Sequence, residues 1–486
     1  MPNVRPVLAT PLCAWLALAA PQALAQDAGT PGATSDAPAA SGQAPAPGAD
    51  SAAPGADSAP PRAESAAPGA QAAPAASLTL ERAVSLAAER NESALAAQQR
   101  AEASQARVAR ARAFFFPELT ATGTYTRRSN QSTREVGGQE VVLQRYNAFG
   151  ASFVARVTLF DARGFPLYRA ARLEGEASGL DAVEARRQVS FEAANAFLVS
   201  LADQQVFQAA EQRLAFARQS LEDAKARAEA GLASSNDVTR AELEVASAEV
   251  QRTSARNTAQ TSRLELGYLL VEPVEGGLAP PDALLTDAVR PLASHEAVVR
   301  GAADRRPDIL SARLRVESLE ANALEPLARL LPALGASYTY RLTNESGLTG
   351  RTGDGFFSVD LTWSLFDGGE RYAERRERVA LAKAAKLEEQ AGTRRVDVDI
   401  QRARVGLENA QAALSQSDLA VRAARQNAEE QGILYRQGLS TALTVADAAV
   451  SLFEAEVARA QSRYALGVAL LGLRAAVGLD PLGKEP

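Results

Sequence analysis

The chain has 486 residues, a formal net charge of −6, 46% hydrophobic and 23% charged residues, but only 5% aromatic ones. One His (His295) and one Cys (Cys13) nearly exclude a zinc site, a Ser-His-Asp triad and a Cys-His nucleophile. No basic stretch tracks a nucleic-acid backbone. No run of about 20 apolar residues offers a transmembrane helix, so a membrane role must come from strands.

Residues 1–25 read as a secretory signal: Arg5, an apolar run from Val7 to Ala20, and Ala23-Leu24-Ala25 before a cleavage point at Gln26. The plainer alternative is a disordered apolar N-terminus. Thr10-Pro11-Leu12 ahead of Cys13 speaks against a lipid anchor, and cleavage would leave a mature chain without cysteine and hence without disulfides. Residues 26–76 hold nine of the 24 prolines and no aliphatic residue larger than Ala. Such a segment cannot bury enough surface to offset its ordering entropy, which predicts a disordered tail.

From Leu78 the chain repeats itself. Ala87 to Tyr125 aligns without a gap on Ala302 to Tyr340, so that Pro117 meets Pro332. Further on, Leu159-Phe160-Asp161 meets Leu365-Phe366-Asp367, and Gly231-Leu232 meets Gly438-Leu439. The offset falls from 215 to 206 between Tyr125 and Leu159, so the first copy carries a longer loop there. Each copy reads as helix, strand, loop, strand, very long helix, tight turn, helix. A linker at 274–297, marked by Pro280-Pro281, separates repeats at 77–273 and 298–482, and 483–486 is a short tail. The linker is expected to pack around the middle of the helical body, with His295 at the surface.

Four segments alternate with period two, which predicts strands. Ala151, Phe153, Ala155, Val157 and Leu159 share one face, as do Leu334, Ala336, Tyr338, Tyr340 and Leu342. Phe357, Val359, Leu361, Trp363 and Leu365 form a third such row, and Leu119, Ala121, Gly123 and Tyr125 a fourth. Thr, Ser, Arg156, Arg341 and Asp360 fill the opposite faces. About 9–11 residues is the length a tilted strand needs to cross a bilayer. Phe153, Val157, Tyr338, Tyr340, Phe357 and Trp363 are the expected lipid-facing residues; the bland alternative is a soluble sheet with one wet face. Four strands cannot close a barrel, and an open sheet in lipid leaves unpaired backbone groups costing several kcal/mol each. Identical chains must therefore share the barrel, and three copies would give twelve strands around a wet lumen.

Leu167 to Glu229 and Glu370 to Gln437 lack strong helix breakers, predicting helices on the order of 95–100 Å long. Phe191, Ala194, Leu198 and Leu201 follow coiled-coil spacing, and so, in another phase, do Phe207, Ala210, Leu214, Ala217 and Leu221. Glu92 to Phe116 and Asn236 to Leu270 together match one long helix, so they are expected end to end beside it. At the far ends, Gly231 and Gly438 read as left-handed caps, and Ser234 and Thr441 as N-caps of the returning helices. Capping alone explains these residues; the sharper reading makes Gly231, Leu232, Ser234, Gly438, Leu439 and Thr441 docking tips.

The ordered motifs Arg305-Arg306-Pro307-Asp308-Ile309, Pro117 and Pro332, the two Leu-Phe-Asp corners and the two Gly-Leu turns resemble the TolC-type outer membrane efflux channels. The resemblance covers roughly 78–482. It implies an α plus membrane β fold: a shared trimeric 12-stranded β-barrel in the outer membrane atop an α-helical periplasmic tunnel. It implies a homotrimer in outer membrane lipid, working with a periplasmic adaptor and an inner-membrane pump of RND or ABC type, with no cofactor, metal or nucleic acid. By the same resemblance the tip turns meet the adaptor, Tyr435 holds the second hairpin closed, and Asp447 narrows the periplasmic mouth. The chain departs from the pattern where Thr444 replaces a second acidic position and Ser440 replaces an arginine; Glu429 and Glu430 could supply charge instead.

No chemistry is expected, since no carboxylate pair is joined to a placed nucleophile. The expected function is passive conduction of solutes delivered by the pump, gated by splaying of the hairpins. Two alternatives stand beside it: a channel of the same fold serving type I polypeptide secretion, and a structural periplasmic coiled-coil protein without a pore.

Overall fold

A computed structural model describes residues 77–292, 299–345 and 351–485. The predicted signal, the predicted tail and His295 lie outside the described residues. Thr79 caps helix α1 (Leu80–Arg90), accepting from the Arg82 amide at 3.3 Å. Asn91 ends α1 and caps α2 (Glu92–Ala113), accepting from the Ser93 amide at 2.9 Å. Pro117 then leads into the strands β1 (Glu118–Arg127), β2 (Ser132–Val136), β3 (Gln139–Gln144) and β4 (Asn147–Phe160). The long helices α3 (Gly164–Glu229) and α4 (Ser235–Leu270) follow, then α5 (Asp282–Val289).

The second copy runs through α6 (Ala302–Arg305), α7 (Pro307–Asn322), α8 (Glu325–Ala328), β5 (Ala333–Thr343), β6 (Gly353–Thr362), α9 (Glu370–Arg436) and α10 (Ala442–Ala476). The duplication holds element by element. The starts of α2 and α7, and of β1 and β5, are 215 residues apart; those of α3 and α9 are 206 apart and those of α4 and α10 are 207 apart. Pro326 explains one asymmetry between the copies, because it interrupts the second copy of α2 and leaves the short α8.

The four main strands form one antiparallel sheet in the order β1-β4-β5-β6. Its register segregates the two faces. Leu119, Ala155, Tyr338 and Phe357 lie in one cross-strand row, and Ala121, Phe153, Tyr340 and Gly355 in the next but one. Between them run Thr120, Val154, Thr339 and Phe356. Thr122, Ser152, Arg341 and Asp354 continue that polar face. Phe356 sits on the polar face because the Arg341 guanidinium covers its ring, 5.5 Å from the centroid.

Three expectations need correction. β6 stops at Thr362, so Trp363 and Leu365 lie beyond the strand; the Trp363 indole donates to the Leu330 carbonyl at 3.0 Å, turning the chain away from the ladder. Leu159 is the extra residue of a bulge, and Phe160 takes its place opposite Leu334. The longer loop of the first copy is itself the β2–β3 hairpin, turning at Gly137 and Gly138, both with positive φ.

α3 packs along α2 and then α4, and α9 along α7, α8 and α10. α2 and α4 therefore lie end to end. Their junction is pinned by the Asn91 amide donating to the Leu269 carbonyl at 3.2 Å and by an Arg90–Glu272 ion pair. In the second copy Gly478 (φ +85°) ends α10 against Arg306, where an added Cβ would come within 3.1 Å of the Arg306 Cγ. Phe191, Ala194, Leu198 and Leu201 are buried, then Ala210, Leu214 and Ala217, as the seam predicts; Phe207 and Leu221 are half-buried. Pro166 falls within the first turn of α3 rather than before it, a place where its missing N–H is harmless.

The main core sits where the junctions meet the middles of the long helices. Phe197 and Leu198 of α3, Leu266 and Leu270 of α4, Leu407 of α9 and Leu470 of α10 are all at most 1% exposed. Each such side chain contributes about 1.5–3 kcal/mol. Leu284 and Leu285 of α5 join this core, so the described part of the inter-repeat segment packs against the middles of the long helices. Gly467 lets α10 approach closely: a Cβ there would lie 3.1 Å from Leu198 Cδ1 and 3.5 Å from Leu285 Cδ2.

Candidate functional site: strand corners, hairpin tips and the cleft between them

The Leu-Phe-Asp motifs turn each strand into its long helix. Asp161 accepts from the Arg163 amide and guanidinium at 3.0 Å. Burial works to raise the Asp161 carboxyl, but the hydrogen bonds and charge of Arg163 hold it below the usual carboxylate range. Asp367 accepts from the Gly369 amide at 3.1 Å, the Arg371 amide at 3.2 Å and the Arg371 guanidinium at 2.6 Å. The same arginine donates to the carbonyls of Arg329 and Ser364, tying the corner to the end of α8 and to the residues just past β6. Sequence reading found both aspartates and missed the arginines that answer them.

At mid-body the Arg-Arg-Pro-Asp-Ile motif is a helix start. Pro307 occupies the first turn of α7, and Arg306 donates to Asp308 at 2.7 and 3.0 Å. Burial pushes the Asp308 carboxyl up, and Arg306 more than reverses this, leaving it below its ordinary value. Arg187, buried with Glu184 at 2.8 Å, donates to the carbonyls of Ala475 and Leu479 and so closes the end of α10.

The two tips are copies of one motif. The Leu232 amide donates to the Arg227 carbonyl at 2.8 Å across Gly231 (φ +72°), and the Leu439 amide to the Leu434 carbonyl at 2.9 Å across Gly438 (φ +77°). Only glycine adopts this backbone without strain. Ser234 and Asp237 form a reciprocal capping box at the start of α4, and Thr441 and Thr444 one at the start of α10. Capping leaves Leu232 and Leu439 unexplained: they are 80% and 73% exposed.

The residues matched to the gate are brought close together, but two are committed locally. Ser440 Oγ donates to Gln431 at 2.8 Å, and Thr444 Oγ1 donates to the Thr441 carbonyl at 2.8 Å. Glu430 accepts from Gln426 at 2.8 Å. Asp447 and Glu429 line a 740 Å³ cleft between the α3/α4 and α9/α10 hairpins, with Phe216, Leu243, Val445 and Leu452 as its apolar walls. Tyr435 also faces this cleft, and its hydroxyl is buried with no hydrogen-bond partner among the described residues. One residue that sequence reading passed over, Arg227, crosses from α3 to α9. It donates to the carbonyls of Tyr435 and Arg436 at 2.7 and 2.9 Å.

Two faces of the helical body also stay open. Leu243, Val250 and Leu264 recur every seven or fourteen residues on α4, and Val398, Val405, Leu419 and Ile433 do so on α9; all are exposed. No helix among the described residues is long and apolar enough to cross a membrane, and no cluster of three or more carboxylates among them could hold a metal ion.

A short antiparallel sheet with segregated faces, raised on a duplicated pair of long helical hairpins, is the architecture of an outer membrane channel with a helical tunnel. The chain belongs to the outer membrane efflux protein family, whose sequence model matches residues 83–270 and 298–479. The fold is shared with a membrane protein from Pseudomonas aeruginosa (21% identity, TM-score 0.69, 82% of this chain and 90% of that one). It is also shared with the outer membrane protein VceC of Vibrio cholerae (19% identity, TM-score 0.65, 82% and 96%). The open state of the MtrE outer membrane channel of Neisseria gonorrhoeae is similar too (19% identity, TM-score 0.66, 84% and 90%). No curated protein sequence matches the chain. The protein is thus a bacterial outer membrane efflux channel component whose helical body extends into the periplasm.

Proposed function

We propose that three copies of this chain form the passive exit duct of a tripartite efflux system, conducting solutes that an inner-membrane pump delivers through a periplasmic adaptor. The observation that carries the reading is the sheet order β1-β4-β5-β6, which leaves both edges without a partner among the described residues. In lipid every edge N–H and C=O would cost several kcal/mol, so the edges of β1 and β6 have to meet those of other copies. Twelve strands then enclose a lumen lined by the polar row of Thr122, Ser152, Arg341 and Asp354, while Phe153, Val157, Tyr338, Tyr340 and Phe357 face lipid.

The helices support the same closure. α4 packs on α3, and α9 on α10, leaving the seven-residue stripes of both outer helices free. Rotational symmetry brings α4 of one copy beside α9 of the next, where the stripes cover each other. Leu232 and Leu439 at the tips are the apolar contacts for an adaptor, and Tyr435 and Asp447 narrow the mouth. The test is reconstitution: purified protein should run as a heat-modifiable trimer and give stepwise conductance in planar bilayers. A monomer without conductance overturns the proposal.

A further inference from the structure

Resting on the channel reading above, we infer that the tunnel holds, next to the barrel, a binding site for organic anions with an apolar body. The site is a 390 Å³ pocket between the end of α2 and the start of α3. Arg107 and Arg110 supply its charge, and Phe114, Leu167 and Ala171 its apolar wall. Two glycines bring the helices into contact at both ends of the pocket. A Cβ on Gly164 would stand 2.7 Å from Phe114 Cδ1, and one on Gly175 would stand 2.8 Å from Val108 Cγ2. The backbones therefore set the space between them.

The charges decide the sign of the ligand. Arg100, Arg107 and Arg110 recur at seven and three residues along one face of α2, and all are exposed. Among the described residues none of these guanidiniums has an ion pair, a hydrogen bond or a ring partner. The arginines on neighbouring helices are answered: Arg163 by Asp161, and Arg329 by Glu325 and Glu374. The pocket's one carboxylate, Glu174, already faces Arg315 at 3.7 Å. Both pocket guanidiniums are thus uncompensated. Their planar donor pairs fit the oxygens of a carboxylate or sulfonate, and the ring of Phe114 and the side chain of Leu167 fit its hydrocarbon.

Helical phase places the pocket toward the lumen. Ala194, Leu198 and Leu201 of α3 are buried in the mid-body core that α1 and α5 complete. Leu167, Ala171 and Glu174 stand 27 residues earlier, about seven and a half turns, and so face the other way. The covered face is the outside of the proposed duct, and threefold symmetry repeats the pocket around its inside. From Leu167 to Phe216, which shares the cleft of Asp447, is about 74 Å along α3. That is many screening lengths, so the acidic mouth does not oppose this site.

The test uses the full-length trimer in detergent, dialysed to equilibrium against naphthalene-1-sulfonate, with detergent sizing of each variant. The matched cation 1-naphthylmethylammonium and inorganic sulfate are the comparison ions. The parent should hold the aromatic sulfonate saturably, at least about tenfold more tightly than the Arg107→Ala, Arg110→Ala pair, since two charged donors are lost. Arg107→Lys with Arg110→Lys should fall between, because charge stays and the planar fork goes. Ala171→Trp should lose the sulfonate with both arginines in place, because the indole fills the pocket. The site is overturned if the parent binds the sulfonate no more tightly than the alanine pair, or if Ala171→Trp leaves binding unchanged. It is equally overturned if the cation binds the parent as tightly as the sulfonate, or if sulfate displaces the sulfonate at equal concentration. If the alanine pair does not assemble, Arg107→Gln with Arg110→Gln carries the same expectation; a trimer lost there too makes the arginines ties between copies and overturns the site. A parent that forms neither trimer nor pore overturns the channel reading instead.

Discussion

The side-chain amide of Asn91 reaches the carbonyl of Leu269, 3.2 Å away and 178 residues along the chain. One residue thereby caps the start of α2 with its oxygen and closes the end of α4 with its nitrogen. Two helices from opposite ends of a repeat become one continuous support for α3. Asn91→Ala should cost about 1–2 kcal/mol, from a lost cap and an unmet carbonyl. Urea unfolding should show a lower midpoint, while Asn91→Asp, which keeps the cap alone, should fall between.

The matching junction in the second copy depends on a glycine. Gly478→Ala puts a Cβ 3.1 Å from Arg306 at φ +85°, so about 1–3 kcal/mol of stability should be lost. Gly179, inside α3 with nothing within 4 Å of a new Cβ, is the control. Gly179→Ala should stabilise by about 0.5–1 kcal/mol in the same unfolding assay.

Acid should weaken the corners and the mid-body start of α7. Asp161 and Asp308 ionise more readily in the folded chain than in the unfolded one. A depressed folded pKa means that their contribution is complete above the unfolded value, near 4, and is lost as pH falls through the folded value. The unfolding midpoint should therefore drop between pH 5 and pH 3. Asp308→Asn should be less stable at pH 7 and show a smaller drop on acidification.

Exposed leucines at two levels should separate assembly from docking. Leu264→Glu places a charge in the stripe of α4 and should reduce the trimer fraction on detergent sizing, because an unpaired carboxylate would be buried between copies. Leu232→Glu should leave the trimer intact and abolish capture of the adaptor in pull-downs.

Asp447, repeated by symmetry, should form a ring of negative charge at the mouth. Asp447→Asn is expected to lower cation selectivity, read as a shift of reversal potential toward zero in a salt gradient. An unchanged reversal potential would place the selective ring elsewhere.

Much of this architecture was readable in advance because it rests on local periodicity. Alternation by two gave the sheet faces, glycine and proline positions gave the turns, and the internal offset gave the element order. What escaped the eye has physical causes. The β2–β3 hairpin carries Arg134 and Glu135 opposite Val141 and Glu140, so no apolar face betrayed it; only Gly137-Gly138 was a signal. Trp363 fitted the period of β6, but its indole was committed to the Leu330 carbonyl. Arg227 looked like an ordinary basic residue in a last helical turn, since the carbonyls it serves lie 208 and 209 residues away. Arg163 and Arg371 were missed although each stands within four residues of its aspartate.

The β2–β3 hairpin leaves the sheet at the end opposite the long helices. In the proposed barrel, with the helical body in the periplasm, the Gly137-Gly138 turn would project from the cell's exterior. On that arrangement an antibody or an inserted epitope at this turn would be reached on an intact bacterium without crossing the envelope.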